Sequence, residues 1–344
     1  MSDRFLILGC GSIGKRHIDN LLELRAGEVI AYDPNPQRRL EAESRFGIRT
    51  VEDPQRALTE GVSAAFVCSP THLHMEQALA AARVGAHIFV EKPLSLDMHG
   101  ADELSREVES RGLVALTGCN FRFHPGLKKV KELVDAHAIG RVVTARAQFG
   151  QYLPDWHPWE DYRSSYSAHR KMGGGVILDR IHEIDYLHWL FGEATHVFAM
   201  ANRLSSLEID CEDTAEILLR LESGTFCSVH LDYVRRVYDC SLELTGDEGT
   251  VQWSFSEHEV RWYLAATRQW QRVTWPNYPV NDMYLEELRH FLRAIHGLEP
   301  PVQNLREARR ALVTALAAKQ SAAEGRQIEL IAAGPTAPRE VCCP

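Results

Sequence analysis

The sequence lacks the features that would mark a membrane, a metal-binding or a nucleic-acid-binding protein. No apolar run approaches the ~18 residues of a transmembrane helix. The 8 cysteines are scattered, without a CxxC pair or clustered histidine and cysteine ligands, so we expect reduced thiols and no metal site. Acidic residues are in excess and give a net charge of −9, which argues against binding to nucleic acids or anionic membranes. No signal peptide precedes the first apolar strand, and we therefore expect a cytoplasmic protein.

Internal repeats and low-complexity tracts are also missing, and the composition is that of a folded chain. Apolar residues make up 45% and charged residues 25% of the 344 residues, which excludes a disordered or disulfide-dense protein. At ~150 residues per domain, this length predicts about two domains. We place a dinucleotide-binding domain at 1–120, a substrate-binding and oligomerisation domain at 121–332, and a flexible tail at 333–344.

The first domain alternates short apolar strands with helical segments of about twelve residues. This alternation is typical of a doubly wound parallel sheet, the Rossmann arrangement. The predicted strands are 5–8, 29–33, 64–68, 87–91 and 113–117, and the predicted helices are 13–24, 36–46, 73–84 and 97–111.

The second domain has longer strands in which apolar and polar residues alternate, several of them joined by turns that contain glycine. That pattern predicts an α/β domain with an open, mostly antiparallel sheet that has one solvated face. The predicted strands are 142–152, 214–221, 225–233, 240–245 and 251–255, and the predicted helices are 176–191, 284–296 and 305–324.

Gly9, Gly11 and Gly14 form a G-x-G-x-x-G pattern between the first strand and the first helix. The first glycine allows a tight turn, the second lets the backbone approach a pyrophosphate, and the third allows the helix to pack closely on the strand. The phosphates would lie at the helix N-terminus, where free N–H groups favour anions. Asp33 ends the second strand and is placed to accept hydrogen bonds from ribose hydroxyls, which favours NAD over NADP.

Two alternatives remain open at this nucleotide motif. Arg38 and Arg39 lie close to Asp33 and could pair with the 2′-phosphate of NADP. A doubly wound domain that binds no dinucleotide is the other alternative. The predicted cofactor contacts, including two further strand ends of the same sheet, are Gly9, Gly11, Ser12, Ile13, Gly14, Asp33, Ser69, Pro70, Thr71, Glu91 and Lys92.

Lys92 follows a buried strand and precedes Pro93. A lysine at the carboxyl end of such a strand points into the ligand crevice of a doubly wound sheet. Partial desolvation and a cationic nicotinamide nearby would lower its pKa and suit it to bind a hydroxyl group. An ordinary surface lysine before a turn is an equally weighted alternative. We also predict a cis peptide bond between Lys92 and Pro93.

The predicted helix 176–191 places Asp179, His182 and Tyr186 on one face, at ~100° per residue. Isoleucines occupy the opposite face, which predicts its core stripe. An imidazole whose free pKa is near ~6.5 is well matched to accept a hydroxyl proton. For Asp179, a carboxylate that only favours the helix start is the alternative. We interpret His188 as a packed core residue and Asp185 as the acceptor of a structural hydrogen bond.

The segment 156–171 mixes aromatic and basic side chains, among them Trp159, Arg163 and Tyr166. Aromatic rings pack well on the C–H faces of sugars, and basic groups bind a carboxylate or phosphate, so we expect these residues to contact a substrate. A lid or an interface loop is the alternative interpretation.

Together these motifs resemble the glucose–fructose oxidoreductase / inositol dehydrogenase (Gfo/Idh/MocA) family. The resemblance extends from Gly9 to about residue 330. The segments that carry it are Gly9 to Gly14 with His17, Ser69-Pro70-Thr71-His72-Leu73-His74, Glu91-Lys92-Pro93, Asn120-Phe121-Arg122-Phe123-His124-Pro125, Gly173-Gly174-Gly175 with Asp179, His182 and Asp185, and Glu324-Gly325-Arg326-Gln327-Ile328.

The resemblance implies an NAD(P)-dependent oxidoreductase that transfers a hydride between nicotinamide and a carbinol carbon of a sugar, polyol or acidic sugar. By this resemblance the catalytic residues are Lys92, His182 and Asp179, and Arg122 joins the residues expected to bind substrate. It further implies a homodimer or homotetramer formed through the C-terminal sheet. Many relatives separate the helix aspartate and histidine by four residues, whereas Asp179 and His182 are three apart, so this chain departs from the family pattern between these two residues.

In the resulting hypothesis, His182 is the acid/base, Lys92 polarises the reacting oxygen, and Asp179 orients the substrate or His182. Two other functions stay open. In one, a lyase, hydratase or glycosidase oxidises its sugar transiently and regenerates NAD. In the other, the protein is a regulator that binds NAD or a sugar without catalysis.

Overall fold

The short apolar runs of the N-terminal half form a six-stranded sheet in which all neighbouring strands are parallel, in the order β3-β2-β1-β4-β5-β6. The computed structural model describes residues 3–330, so the tail predicted at 333–344 lies outside the described residues. The doubly wound prediction is confirmed. The strands are β1 (Arg4–Leu8), β2 (Glu28–Tyr32), β3 (Arg49–Val51), β4 (Ala64–Val67), β5 (His87–Glu91) and β6 (Ala115–Gly118).

Helices connect these strands, and two of them begin at side-chain caps. Asn35 accepts the N–H of Gln37 at the start of α2, and Asp53 accepts the N–H of Gln55 at the start of α3. The five helices of this half are α1 (Ser12–Glu23), α2 (Pro36–Phe46), α3 (Pro54–Thr59), α4 (His74–Arg83) and α5 (Ala101–Ser110).

The second half forms a nine-stranded sheet in the order β14-β13-β12-β11-β7-β10-β9-β8-β15. Only β7 and β10 run parallel, so the expected mostly antiparallel sheet is confirmed. Its strands are β7 (Val142–Gly150), β8 (Ala194–Asn202), β9 (Thr214–Leu221), β10 (Phe226–Asp232), β11 (Asp239–Gly246), β12 (Gly249–Ser254), β13 (Glu259–Leu264), β14 (Gln269–Thr274) and β15 (Ile328–Glu329).

One face of this sheet is covered and the other is open. In β9, Ile217 and Leu219 are buried, whereas Glu216, Leu218 and Arg220 alternate with them and are exposed. The remaining helices are α6 (Pro125–Asp135), α7 (Val176–Asp179), α8 (His182–Phe191), α9 (Asn281–Ile295) and α10 (Leu305–Glu324).

The single helix predicted over 176–191 is wrong, because the structure divides it into α7 and α8. Arg180 leaves the helical conformation with φ −106° and ψ 42°. The carbonyl oxygen of Asp179 accepts the Lys92 ammonium at 2.6 Å, where an unbroken helix would use it for the N–H of residue 183. A tertiary contact therefore ends a helix that the local pattern continues.

Helix α9 packs on the parallel sheet, although it follows the second domain in sequence. The Phe291 ring lies edge-on to Phe66 at 5.5 Å and to Phe89 at 5.4 Å. The predicted boundary at residue 120 thus separates two sheets, while α9 extends the hydrophobic core of the first. Among residues 3–330, no helix has the length and apolar character needed to cross a membrane.

Candidate functional site

The glycine turn between β1 and α1 is built from three glycines with different surroundings. A Cβ on Gly9 would lie 2.7 Å from the Cys68 carbonyl oxygen, and Gly9 has a φ of +110°. A Cβ on Gly14 would lie 1.8 Å from the Gly9 oxygen, whereas one on Gly11 would meet no atom within 4 Å. Gly9 and Gly14 are therefore needed for packing. Gly11 faces open space, which allows a ligand to come close to the protein backbone.

The N-terminus of α1 adds donors to this turn. Gly11 is the N-cap residue and supplies no side-chain cap, so Ser12 and Ile13 begin the helix without one. Uncapped N–H groups at a helix start favour an anion such as a pyrophosphate. The turn thus fits the phosphates of a dinucleotide.

Asp33 lies just beyond β2 and is buried beside the turn. Its carboxylate accepts the N–H of Cys10 at 2.8 Å and that of Asn35 at 2.9 Å. Arg39 donates to the Asp33 carbonyl oxygen and to Glu52, and Arg38 approaches the carboxylate only to 3.9 Å. Arg39 is therefore committed to protein partners, and the half-exposed Arg38 is the cation still able to meet a 2′-phosphate.

The strand ends of β4 and β5 are joined by His74. Its ring nitrogens lie 2.8 Å from the Ser69 oxygen and 2.8 Å from the Pro93 oxygen. Burial lowers the pKa of His74, which the two carbonyl groups oppose. His74 therefore lies at the start of α4 between the two strand ends, with a carbonyl oxygen facing each ring nitrogen. The predicted cis bond between Lys92 and Pro93 is present.

Lys92 and Asp179 meet between the two sheets. The Lys92 ammonium donates to the Asp179 carboxylate at 3.0 Å as well as to its carbonyl oxygen. Three hydroxyl groups donate to the same carboxylate, from Tyr166 at 2.6 Å, Ser167 at 2.7 Å and Tyr233 at 2.9 Å. Asp179 is thereby saturated by four donors that arrive from three separate segments.

These donors set the charge of Asp179. Burial alone would raise its pKa, but the Lys92 ammonium and the hydrogen bonds from Tyr166 and Ser167 lower it to about 2. Asp179 is therefore an anion at neutral pH and a poor proton acceptor. The described contacts join Asp179 to Lys92 and to the hydroxyl groups, and not to His182. The geometry therefore favours a role for Asp179 in holding Lys92 over a role in orienting the His182 ring.

His182 begins α8 and is 5% exposed. Its ring packs on Phe121 at 4.9 Å, and its Nδ1 atom is buried without a hydrogen-bond partner in the described chain. Burial, the Lys92 ammonium and the Arg180 guanidinium hold the pKa of His182 well below its usual range. A neutral imidazole next to an ammonium group is able to accept a proton from a hydroxyl held between them.

Glu91 lies directly before Lys92 and points into the parallel domain. Its Oε1 atom is 2.7 Å from Nε2 of the fully buried His17 on α1. This contact ties the strand that carries Lys92 to the helix that begins at the glycine turn. Glu91 therefore stabilises the cofactor site by holding β5 and α1 together.

Arg122 does not line this site, which corrects its expected role in substrate binding. It is 4% exposed, and four of its donors are used by Asp185, Glu307 and the Val302 carbonyl oxygen. A guanidinium group with four of its five N–H donors in use has few donors left to bind a ligand. Asp185 thus makes the structural hydrogen bond that its position on the helix predicts.

Tyr186 is also absent from the Lys92–Asp179 contact, so the prediction of one helix face shared by Asp179, His182 and Tyr186 is wrong for Asp179, which lies on α7 while the other two lie on α8. The break at Arg180 separates α8 from α7, and the buried Tyr186 ring lies edge-on to Trp253 at 6.2 Å. His188 contacts Thr314 of α10 through Nε2, at 3.3 Å. Both residues serve the packing of α8.

The loop residues give a mixed outcome. Tyr166 reaches the site through Asp179, whereas Trp159 is 71% exposed and Arg163 pairs with Asp161 and Glu208. Sequence reasoning missed Ser167 and Tyr233. The position of Tyr233 at the end of a predicted strand was the available indication, since strand ends gather at sheet edges.

Two family models match most of the chain. Residues 4–119 match a model described as the oxidoreductase family with an NAD-binding Rossmann fold. Residues 127–252 match a model described as the GFO/IDH/MocA C-terminal domain.

Individual relatives align over nearly the whole chain. A myo-inositol 2-dehydrogenase of Thermotoga maritima is 31% identical over 343 residues, which cover 95% of this chain and 98% of the relative. A scyllo-inositol 2-dehydrogenase (NAD(+)) of Bacillus subtilis is 26% identical over 339 residues, covering 95% and 96%. The solved structure of a levoglucosan dehydrogenase in complex with NADH and levoglucosan has a TM-score of 0.86 at 22% identity. The alignment covers 96% of this chain and 99% of that chain, so the two proteins have the same fold.

Proposed function

The chain belongs to the Gfo/Idh/MocA family of oxidoreductases, and from this premise we propose how its residues perform the reaction. It is an NAD-dependent enzyme that oxidises a CH–OH group of a sugar or polyol to a carbonyl group, or reduces that carbonyl group in the reverse direction. The substrate class that we propose is a cyclic polyol. Two inositol dehydrogenases that align with 95% of the chain support this choice.

The glycine turn and the three strand ends would hold NAD. Gly11 leaves open space, the start of α1 offers uncapped donors, and Asp33 ends β2 beside them. These features fit a dinucleotide whose adenosine ribose carries free hydroxyl groups. When bound, NAD supplies the hydride acceptor at its nicotinamide ring.

The contact between Lys92 and Asp179 carries the assignment of the chemistry. Asp179 fixes the ammonium group of Lys92 between the two sheets, and Lys92 then donates a hydrogen bond to the oxygen of the reacting carbon. His182 is neutral and takes the hydroxyl proton at Nε2, the ring nitrogen opposite the buried Nδ1. Trp159 and Arg163 remain predicted substrate contacts on the adjoining loop.

This mechanism predicts that Lys92→Ala and His182→Ala each lower kcat for inositol oxidation by at least ~10²-fold. Binding of NADH, followed by its fluorescence, should change little because neither residue holds the pyrophosphate. The assay mixes the enzyme with NAD and myo-inositol, scyllo-inositol or neutral and acidic sugars and follows nicotinamide absorbance. Lys131→Ala and His137→Ala, on and just after α6, are the matched controls.

Near-normal turnover in the Lys92 or His182 variant would remove that residue from the mechanism. Consumption of a sugar without accumulation of NADH would instead indicate the transient oxidation of a lyase, hydratase or glycosidase. Binding of NAD and sugar with no turnover of any substrate would indicate a regulator.

We also propose that the enzyme forms a homodimer or homotetramer through the open face of the nine-stranded sheet. Phe198 and Leu218 are paired on adjacent strands of that face and are 36% and 56% exposed. Met200 and Phe226 extend the apolar area at 69% and 59% exposure. Contiguous exposed apolar surface of this kind supports a protein–protein contact.

A cytoplasmic location is part of the same proposal. The six cysteines of the described chain, Cys10, Cys68, Cys119, Cys211, Cys227 and Cys240, are free thiols. Free thiols fit a reducing compartment.

A further inference from the structure

A group of buried polar side chains surrounds Phe121, the residue on which His182 packs. The Phe121 ring also lies 5.5 Å from the Arg180 guanidinium and 6.2 Å from the Trp253 ring. Each member of the group has a buried nitrogen or oxygen without a hydrogen-bond partner in the described chain. We call it the inner polar cluster, and its members are His124, Arg180, His182, Glu183, Tyr186 and Trp253.

The cluster extends from His182 to the start of α6, and the Phe121 ring contacts its members His182, Arg180 and Trp253. Arg180 donates to Glu183 Oε1 at 3.0 Å, and the Tyr186 ring contacts Trp253 at 6.2 Å. The Trp253 ring in turn contacts His124 at 5.5 Å. The unpartnered atoms therefore belong to one region of the core rather than to separate defects.

Donors and acceptors in this region complement one another. Arg180 Nε and Trp253 Nε1 are donors only. His124 is a donor at Nε2 because its Nδ1 accepts the N–H of Gly126. Glu183 Oε2 is an acceptor, and the Tyr186 hydroxyl is both. Buried polar atoms that lack a protein partner are bridged by internal water in folded proteins.

When His182 becomes protonated, its imidazolium lies near two other cations and requires an anion to stabilise it. Lys92 and Arg180 both disfavour the imidazolium, and the Asp179 carboxylate is saturated by Lys92 and three hydroxyl groups. Glu183 is fully buried, and its Oε2 atom is the carboxylate oxygen in the cluster that has no partner in the described chain. Burial raises the pKa of Glu183, and the Arg180 guanidinium and the Lys92 ammonium oppose this shift and favour the carboxylate. Tyr238 and the Cys240 thiol face the same carboxylate from the sheet side, and neither is a cation.

We propose that Glu183 is a positioning residue for His182: its free carboxylate oxygen, through a water bound in the inner polar cluster, accepts the Nδ1–H of the ring. This contact holds His182 as the Nδ1–H tautomer and leaves Nε2 free to take the substrate proton. It also stabilises the imidazolium that forms when Nε2 takes the proton, and the proton leaves from Nε2 to solvent after the product departs. The inference rests on the proposed role of His182 as the acid/base.

Glu183→Gln tests this role, because the amide oxygen can still accept from Arg180 while the negative charge is lost. We expect kcat to fall about tenfold or more and the KM for polyol and NAD to change less than about threefold. The apparent pKa of the rising limb of the pH–rate profile should shift to lower pH, since the imidazolium loses its anion. Glu212→Gln is the matched control, because Glu212 is a buried acid paired with Lys319 at 3.2 Å.

A direct readout of the tautomer separates this inference from the proposed function. Nitrogen NMR of ¹⁵N-histidine-labelled enzyme, without substrate, should show His182 as the Nδ1–H tautomer in the wild type and in Glu212→Gln. Glu183→Gln should shift the ring toward the Nε2–H tautomer. An unchanged tautomer and an unchanged pH–rate profile in Glu183→Gln would overturn the proposal, even if the variant were less stable.

Tyr186→Phe provides a second variant in case Glu183→Gln fails to fold. The substitution keeps the ring in its contact with Trp253 and removes the hydroxyl group, which has no protein partner. We expect a several-fold loss of kcat with an unchanged melting temperature, since the bridging water loses an acceptor. Wild-type kcat in this variant would contradict the water-mediated contact. Absence of wild-type turnover with every polyol and sugar would refute the proposed function instead.

Discussion

Whether a charged residue binds a ligand depends on partners that are distant in sequence. Arg122 lies in a motif that resembles a substrate-binding segment, yet Asp185 and Glu307 occupy its donors from helices far along the chain. The strand end that carries Lys92 was predictable, but a surface lysine was an equally weighted alternative, and the contact with Asp179 distinguishes the two. Ser167 and Tyr233 were not, since their hydroxyl groups reach Asp179 from a loop and from a strand end whose positions only the folded chain defines.

His124 gives a prediction at the residue scale. It is fully buried, and burial together with the nearby His258 lowers its pKa to about 3. Between about pH 7 and about pH 5 the unfolded chain binds a proton at this histidine and the native chain does not, so stability falls as the pH falls. The contribution is about 2 kcal/mol over that range, at 1.36 kcal/mol per pKa unit.

His124→Asn removes this titration and keeps the cap, because the asparagine oxygen can accept the N–H of Gly126 as the ring nitrogen does. The free energy of unfolding, measured by urea denaturation across this pH range, should depend less on pH in the variant by about the same 2 kcal/mol. Exposed His137 is the matched control, as His137→Asn. Equal pH dependence in wild type and His124→Asn would show that His124 is protonated in the folded chain.

Elements with a strong local pattern were predictable, and short or tertiary-dependent ones were not. Helices α2 and α10 begin and end where the sequence predicts. The three-residue β3 and six-residue α3 are too short to show a periodicity. The 176–191 pattern is continuous along the chain, but Lys92 takes the carbonyl oxygen of Asp179 and divides the helix.

The glycine turn between β1 and α1 yields a prediction at the element scale. In Gly11→Ala the new Cβ meets no protein atom within 4 Å, so the melting temperature should be unchanged. The methyl group would occupy the space that the pyrophosphate needs, and the KM for NAD should rise about tenfold or more. In Gly14→Ala the Cβ would lie 1.8 Å from the Gly9 oxygen, so the turn itself should be destabilised by roughly 1–3 kcal/mol.

Thermal unfolding without cofactor and steady-state kinetics with varied NAD distinguish these two effects. Gly47→Ala serves as a control for glycine replacement, because its Cβ also meets no neighbour, although its φ of +67° adds local strain far from the nucleotide turn. An unchanged KM for NAD in Gly11→Ala would mean that the cofactor does not approach this turn.

The whole molecule joins two sheets through helices that cross between them. Helix α9 buries Phe291 against the parallel sheet after the chain has completed most of the antiparallel one. Composition and strand pattern predict both sheets, but they do not predict which sheet a late amphipathic helix will cover, because its apolar stripe fits either. The same limit applies to the open sheet face, whose proposed partner is a second copy of the chain.

Leu218→Glu tests the proposed assembly at the scale of the whole molecule. Leu218 is 56% exposed in the middle of the open face and pairs with Phe198 on the next strand. A buried, unpaired carboxylate in a subunit interface is strongly unfavourable, so the variant should be monomeric where the wild type is a dimer or tetramer. Sedimentation or light scattering measures the mass, and circular dichroism should show the monomer folded, since the side chain leaves the core untouched. Leu40→Glu, on exposed α2, is the control and should assemble like the wild type. A monomeric wild type, or a Leu218→Glu protein that keeps the wild-type mass, would place the contact between subunits elsewhere or remove it.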